Sequence, residues 1–157
     1  MRPSLLCFSL LLLSLQCASQ THQPEPLGAA LLGCWRIESA TFLAADGQTF
    51  RLYPKCTAEF SMNRFVNRCL PPAPQRIEYS YSIQQNGVIS TKMIAHLTAP
   101  SLIGLEQMLE FNIVNDRLQM TAHPQTAKPF PVSSARRIDS IFVRQDWPGE
   151  CRPSPAF

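Results

Sequence analysis

The sequence is poor in several things, and each shortage removes a class of function. Glycine occurs only 6 times in 157 residues and always singly. No glycine-rich loop can therefore cradle a phosphate. There are 3 His, and none stands at metal-ligand spacing from another. Charge is sparse and nearly balanced, with 14 Lys plus Arg against 11 Asp plus Glu, and the Arg residues are scattered. That leaves no nucleic-acid footprint. No Gly-x-Ser-x-Gly elbow is present, so a Ser/His/Asp hydrolase has no support. No run of ten or more residues combines 3.6-residue spacing with caps, which excludes long helices.

Proline and cysteine are plentiful. The 14 Pro amount to about 9% of the chain, against a usual value of about 5%. They argue for many short segments. At 45% hydrophobic and 16% charged, the composition is that of a folded domain.

Residues 1–19 read as a secretory signal peptide. Arg2 supplies the positive start, Leu5–Leu15 the apolar core, and Cys17-Ala18-Ser19 the small residues before a cut. The core is well short of the ~20 residues that span a bilayer. No later stretch is apolar for long enough either. Residues 20–26 then form a tether and residues 27–157 one domain, with Leu27–Leu32 as a helical turn leading into it. Cleavage removes Cys7 and Cys17 and leaves Cys34, Cys56, Cys69 and Cys151. Four Cys in an exported chain read as two disulfides, with three pairings open. The C-x₂₋₄-C spacing of a zinc site is absent. Cys17 also resembles the lipidated cysteine of bacterial lipoproteins, because Ala18-Ser19-Gln20 follows it; Gln16 departs from that pattern. The expected location is secreted or periplasmic, with membrane contact only if Cys17 is lipidated.

Strand signals fill the rest. Eight strands are expected: Cys34–Leu43, Gln48–Tyr53, Thr57–Met62, Arg76–Gln84, Val88–Thr98, Leu105–Val114, Arg117–Ala122 and Arg137–Gln145. The stretch 63–75, with Cys69 and Pro71-Pro72-Ala73-Pro74, is expected to be irregular. The fourth strand alternates most cleanly, with Ile77, Tyr79, Tyr81 and Ile83 on one face. Asn86-Gly87 is a strong hairpin signal, and Asn115-Asp116 marks another turn. Short strands joined by tight turns suggest an all-β, antiparallel, up-and-down arrangement. Closing it into an eight-stranded barrel removes exposed edges. A two-sheet sandwich is the competing arrangement.

Gly33-Cys34-Trp35 resembles the Gly-x-Trp signature that opens the barrel of lipocalins. Those barrels set an Arg from the last strand across the Trp face, and Arg144 stands where that resemblance requires it. A guanidinium over an indole is a favourable cation–π pair. The chain is more closely similar to bacterial and fungal lipocalin-like domains. Leu31–Arg36 matches their Leu-x-Gly-x-Trp-Arg-like opening. Tyr53 and Phe60-Ser61-Met62 match loosely, and Pro100-Ser101, Gly104, Glu106-Gln107 and Asp116–Leu118 follow in order. The likeness spans about Leu31–Gln145; the extra Cys and the Pro71–Pro74 run depart from it. Within such a barrel, the resemblance suggests Cys34–Cys151 and Cys56–Cys69. Pairing of Cys151 with Cys56 or Cys69 remains open.

That resemblance implies binding of a small apolar or amphipathic molecule, including lipids, in the barrel, with no cofactor and no metal. Tyr79, Tyr81, Met93, Gln107 and Met120 are the candidate lining residues; in a filled barrel they would be ordinary core. Gly33, Trp35 and Arg144 are structural. Two rivals stand beside binding. One is an isomerase or cyclase working in the same cavity, with His96 and Glu106 as its weak acid/base candidates. The other is a solid barrel whose loops hold an envelope partner.

Overall fold

The structure is a computed structural model that describes residues 27–146 and Cys151, apart from Ala73, Asn86 and Val132. The expected signal peptide 1–19 with Cys17, the tether 20–26, Asn86 of the hairpin and most of the tail lie outside the described residues.

A five-residue helix, α1 (Leu27–Leu31), is followed by the strands β1 (Gly33–Ala44), β2 (Thr49–Leu52), β3 (Cys56–Phe60), β4 (Arg64–Cys69), β5 (Gln75–Gln85), β6 (Val88–His96), β7 (Glu106–Val114), β8 (Arg117–Ala122) and β9 (Ala135–Gln145). All neighbouring pairs are antiparallel. β1 closes on β9 along a register that runs from Cys34↔Gln145 to Ala44↔Ala135. The result is a closed up-and-down barrel of eight staves, β1 and β3 to β9, with the lipocalin-like closure of first strand on last. The sandwich alternative is set aside by that closure.

Two strand expectations need correcting. The stretch 63–75 is not irregular throughout: it contains β4, which pairs Cys56↔Cys69 to Phe60↔Phe65 with β3 and Arg64↔Ser80 to Cys69↔Gln75 with β5. Conversely, Gln48–Tyr53 is not a stave of its own. β2 pairs with Ala40–Leu43 of β1, whereas β3 pairs with Gly33–Arg36 on the same edge. The two are one return path broken at Pro54, which has no N–H for a ladder. Every residue of β2 is exposed. Its main side-chain support is Phe50, stacked on Phe42 with ring centroids 4.8 Å apart.

The turns follow their residues. Asn115 and Asp116 take φ of 50° and 56° between β7 and β8, the left-handed pair that a two-residue hairpin needs. Inward positions alternate along each stave as the pleat dictates. Trp35, Ala58, Phe60, Phe65, Tyr81, Ile89, Leu109, Phe111, Leu118, Met120 and Phe142, with Leu31 of α1, form one buried cluster. Both disulfides are formed, Cys34–Cys151 and Cys56–Cys69.

Candidate functional site

The barrel has two ends built in different ways. At the first end α1 lies across the opening. A short helix leaves its last carbonyls without partners, and here side chains from both closing strands supply them. Trp35 is fully buried and donates its Nε1–H to the Leu31 carbonyl at 2.8 Å. Arg144 donates to the carbonyls of Leu32 (2.9 Å) and Ala30 (2.5 Å) and to Asp116 Oδ1 (3.1 Å). Its guanidinium carbon stands 4.2 Å from the Trp35 ring centroid. Gly33 has φ of 118°, and a Cβ there would lie 3.3 Å from Arg144 Nη1. Glycine thus meets both the backbone and the space requirement. The Cys34–Cys151 bridge fastens the tail at this end, where the Cys151 carbonyl accepts from Arg68 at 3.1 Å.

Toward the other end the interior is not filled. A partly enclosed cavity of about 130 Å³ remains. Its apolar wall includes Phe60, Phe65, Leu109, Met120, Ala122 and Phe142. Phe65 stacks on Tyr79 at 4.4 Å and on Phe60 at 4.9 Å, which holds one side of the wall rigid. Four neutral polar side chains complete the lining: Asn67 from β4, Tyr79 from β5, Gln107 from β7 and Ser140 from β9. Among the described residues no Asp, Glu, Lys, Arg or His lines it. The Asn67 Oδ1 is buried and has no hydrogen-bond partner among the described residues. Burial pushes the Tyr79 phenol up from 10.0 to about 12, because desolvation opposes the phenolate.

Of the five candidate lining residues, Tyr79, Gln107 and Met120 meet at this cavity. Tyr81 is buried beneath it in the packed cluster, where its hydroxyl donates to the Ser61 carbonyl at 2.7 Å. Burial raises its pKa as well. Met93 packs instead with Leu105 and Ala127 in a separate small cluster. His96 and Glu106 are held by different partners. His96 Nδ1 accepts from the backbone N–H groups of Thr98 (3.3 Å) and Ala99 (3.0 Å), and so shapes the turn after β6. Glu106 pairs with Lys92 at 3.1 Å on the exposed surface.

Asn67, Ser140 and the wall residues Phe60 and Phe65 were not singled out from the sequence. Asn67 and Phe65 lie on β4, and Phe65-Val66-Asn67-Arg68-Cys69 does alternate in and out. A polar residue at the inward position hides that period.

No family model matches the chain, and no curated protein matches it in sequence. Among solved structures, a lipocalin-like protein from Bacteroides uniformis is 15% identical, with 73% of this chain and 98% of that chain covered and a TM-score of 0.48. An uncharacterized protein from Bacteroides eggerthii is 11% identical, over 73% and 98%, with a TM-score of 0.46. A de novo designed fluorescence-activating β-barrel is 15% identical, over 75% and 96%, with a TM-score of 0.41.

Proposed function

We propose that this protein is an exported barrel that binds a small molecule in the cavity between β3, β4, β5, β7, β8 and β9. The cavity itself carries the reading. A side-chain-filled eight-stranded barrel needs no such space, whereas here about 130 Å³ is left beside a wall of aromatic rings. An engineered apolar cavity of about 150 Å³ binds benzene, so the space suits about one ring. A whole fatty acyl chain is much larger, which turns the lipid expectation toward a smaller ligand. Burial of that ring against Phe65, Leu109 and Phe142 would supply most of the affinity.

Two disulfides suit an oxidising compartment. Export through residues 1–19, a tether at 20–26 and a binding domain from 27 to 157 form part of the same proposal. Native mass spectrometry of the protein purified from its own host tests it. A small-molecule adduct that is lost on denaturation is the expected result. The proposal fails if no adduct is seen and no small aromatic shifts the methyl resonance of Met120.

A further inference from the structure

We infer that the cavity selects a neutral, ring-sized molecule bearing one hydrogen-bonding group of the hydroxyl or amide kind. This rests on the reading of the cavity as a binding site and goes on to its ligand chemistry. Three observations meet here. The volume of about 130 Å³ limits the ligand to about one ring. Among the described residues the lining contains no ionisable group other than Tyr79, a phenol that is neutral at neutral pH. Asn67, Tyr79, Gln107 and Ser140, one from each of four strands, place polar groups on the lining, and the buried Asn67 Oδ1 has no hydrogen-bond partner among the described residues.

The first consequence concerns charge. A carboxylate or ammonium entering the cavity would lose hydration and meet no opposite charge, which is costly. The second concerns polarity. A purely apolar ligand would offer no partner to the polar side chains of the lining, Asn67 above all, so it forfeits affinity as well. A hydroxyl or primary amide avoids both penalties, because it donates and accepts. The Asn67 carboxamide is the nearest fit among the four. Its Oδ1 is sealed from solvent without a donor, and a turn about its terminal torsion, which is broad, presents either end. An apolar site with a few polar groups orients its ligand through those groups.

Two pairs of probes of matched shape test the inference by NMR titration at neutral pH. Phenol and toluene differ in the hydrogen-bonding group; benzamide and benzoate differ in charge. We expect phenol to bind about tenfold more tightly than toluene, which corresponds to ~1.4 kcal/mol. Benzamide should exceed benzoate by at least about tenfold. In Asn67→Leu the gap between phenol and toluene should close while toluene still binds. Ser140→Ala provides a second reading of the same gap if Asn67→Leu fails to fold. Toluene binding as well as phenol, or benzoate as well as benzamide, overturns the inference and leaves the binding site standing. Failure of all four probes overturns the binding site itself. An unchanged gap in every folded variant removes these side chains from the recognition.

Discussion

The two ends of this barrel are made from the same alternating strands, yet they spend their inward positions differently. At the α1 end those positions carry Trp35 and Leu118, and the carbonyls of Ala30, Leu31 and Leu32 have donors from Trp35 or Arg144. At the cavity end the inward positions include Asn67, Gln107 and Ser140, and the buried Asn67 Oδ1 has no partner among the described residues. The first arrangement is the one that stability selects, since buried polar groups are paired. The second costs stability, and natural proteins accept that cost chiefly where they bind or react. The contrast separates the part that holds the barrel closed from the part to which the proposed function assigns binding.

Removal of the indole should have the largest effect. Trp35→Ala leaves a void at the centre of the closed end and also frees the Leu31 carbonyl. We expect a loss of about 3–5 kcal/mol in denaturant unfolding. A loss below about 1 kcal/mol would dissolve the contrast. The disulfides come next, one at each end. Each should contribute about 2–4 kcal/mol. The Cys34–Cys151 bridge spans 117 residues of sequence and the Cys56–Cys69 bridge 13. Chain entropy then makes the first worth roughly 2 kcal/mol more, readable by comparing the two double-Ala variants. Arg144→Met should cost about 2 kcal/mol, since it removes the cation–π contact and leaves two carbonyls without donors.

The cavity end should respond to pH and to apolar substitution. Tyr79 holds its proton up to about 12 in the fold, against 10.0 for the free group. Its folded value is raised, so its contribution is complete below pH 10. It is lost as pH climbs from 10 toward 12, where the unfolded chain releases the proton first. Unfolding followed at pH 10 and 11 should show a fall of about 1 kcal/mol that Tyr79→Phe lessens. The smallest effect has the opposite sign. Asn67→Leu should raise the stability of the free protein by about 1 kcal/mol, because it removes an unpartnered buried oxygen. Equal destabilisation by Asn67→Leu and Trp35→Ala would erase the distinction between the ends.

The closed end was the legible one. Gly33, Trp35 and Arg144 were placed by the resemblance to the Gly-x-Trp opening and last-strand Arg of lipocalins, and the structure gives each a stringent local requirement there. The bridges Cys34–Cys151 and Cys56–Cys69 were suggested by the lipocalin resemblance, with Cys151 to Cys56 or Cys69 left open, and the structure forms the suggested pair. The clean alternation of Ile77, Tyr79 and Tyr81 placed β5 as well. The cavity end was less legible for the same reason that it is a candidate site. Asn67 puts a polar residue at an inward position of β4, and the Pro71–Pro74 run beside it imitates a long loop. β2 misled in the other direction: Thr49-Phe50-Arg51-Leu52 has strand-forming residues, but Pro54 interrupts the return path, so the segment pairs only with Ala40–Leu43 of β1 instead of forming a stave. His96 and Glu106 were candidates because they fall on adjacent expected strands, where a pair could form. Their partners are fixed by the turn after β6 and by Lys92 across the ladder, which composition does not reveal.

The most direct test of the central claim is a high-resolution crystal structure of the protein purified without added ligand. The account expects the space beside Phe65, Leu109 and Met120 to persist, with a small molecule or ordered waters bonded to Asn67, Gln107 or Ser140. Collapse of Phe65 and Met120 into that space, with Asn67 bonded to a neighbouring side chain, would contradict it.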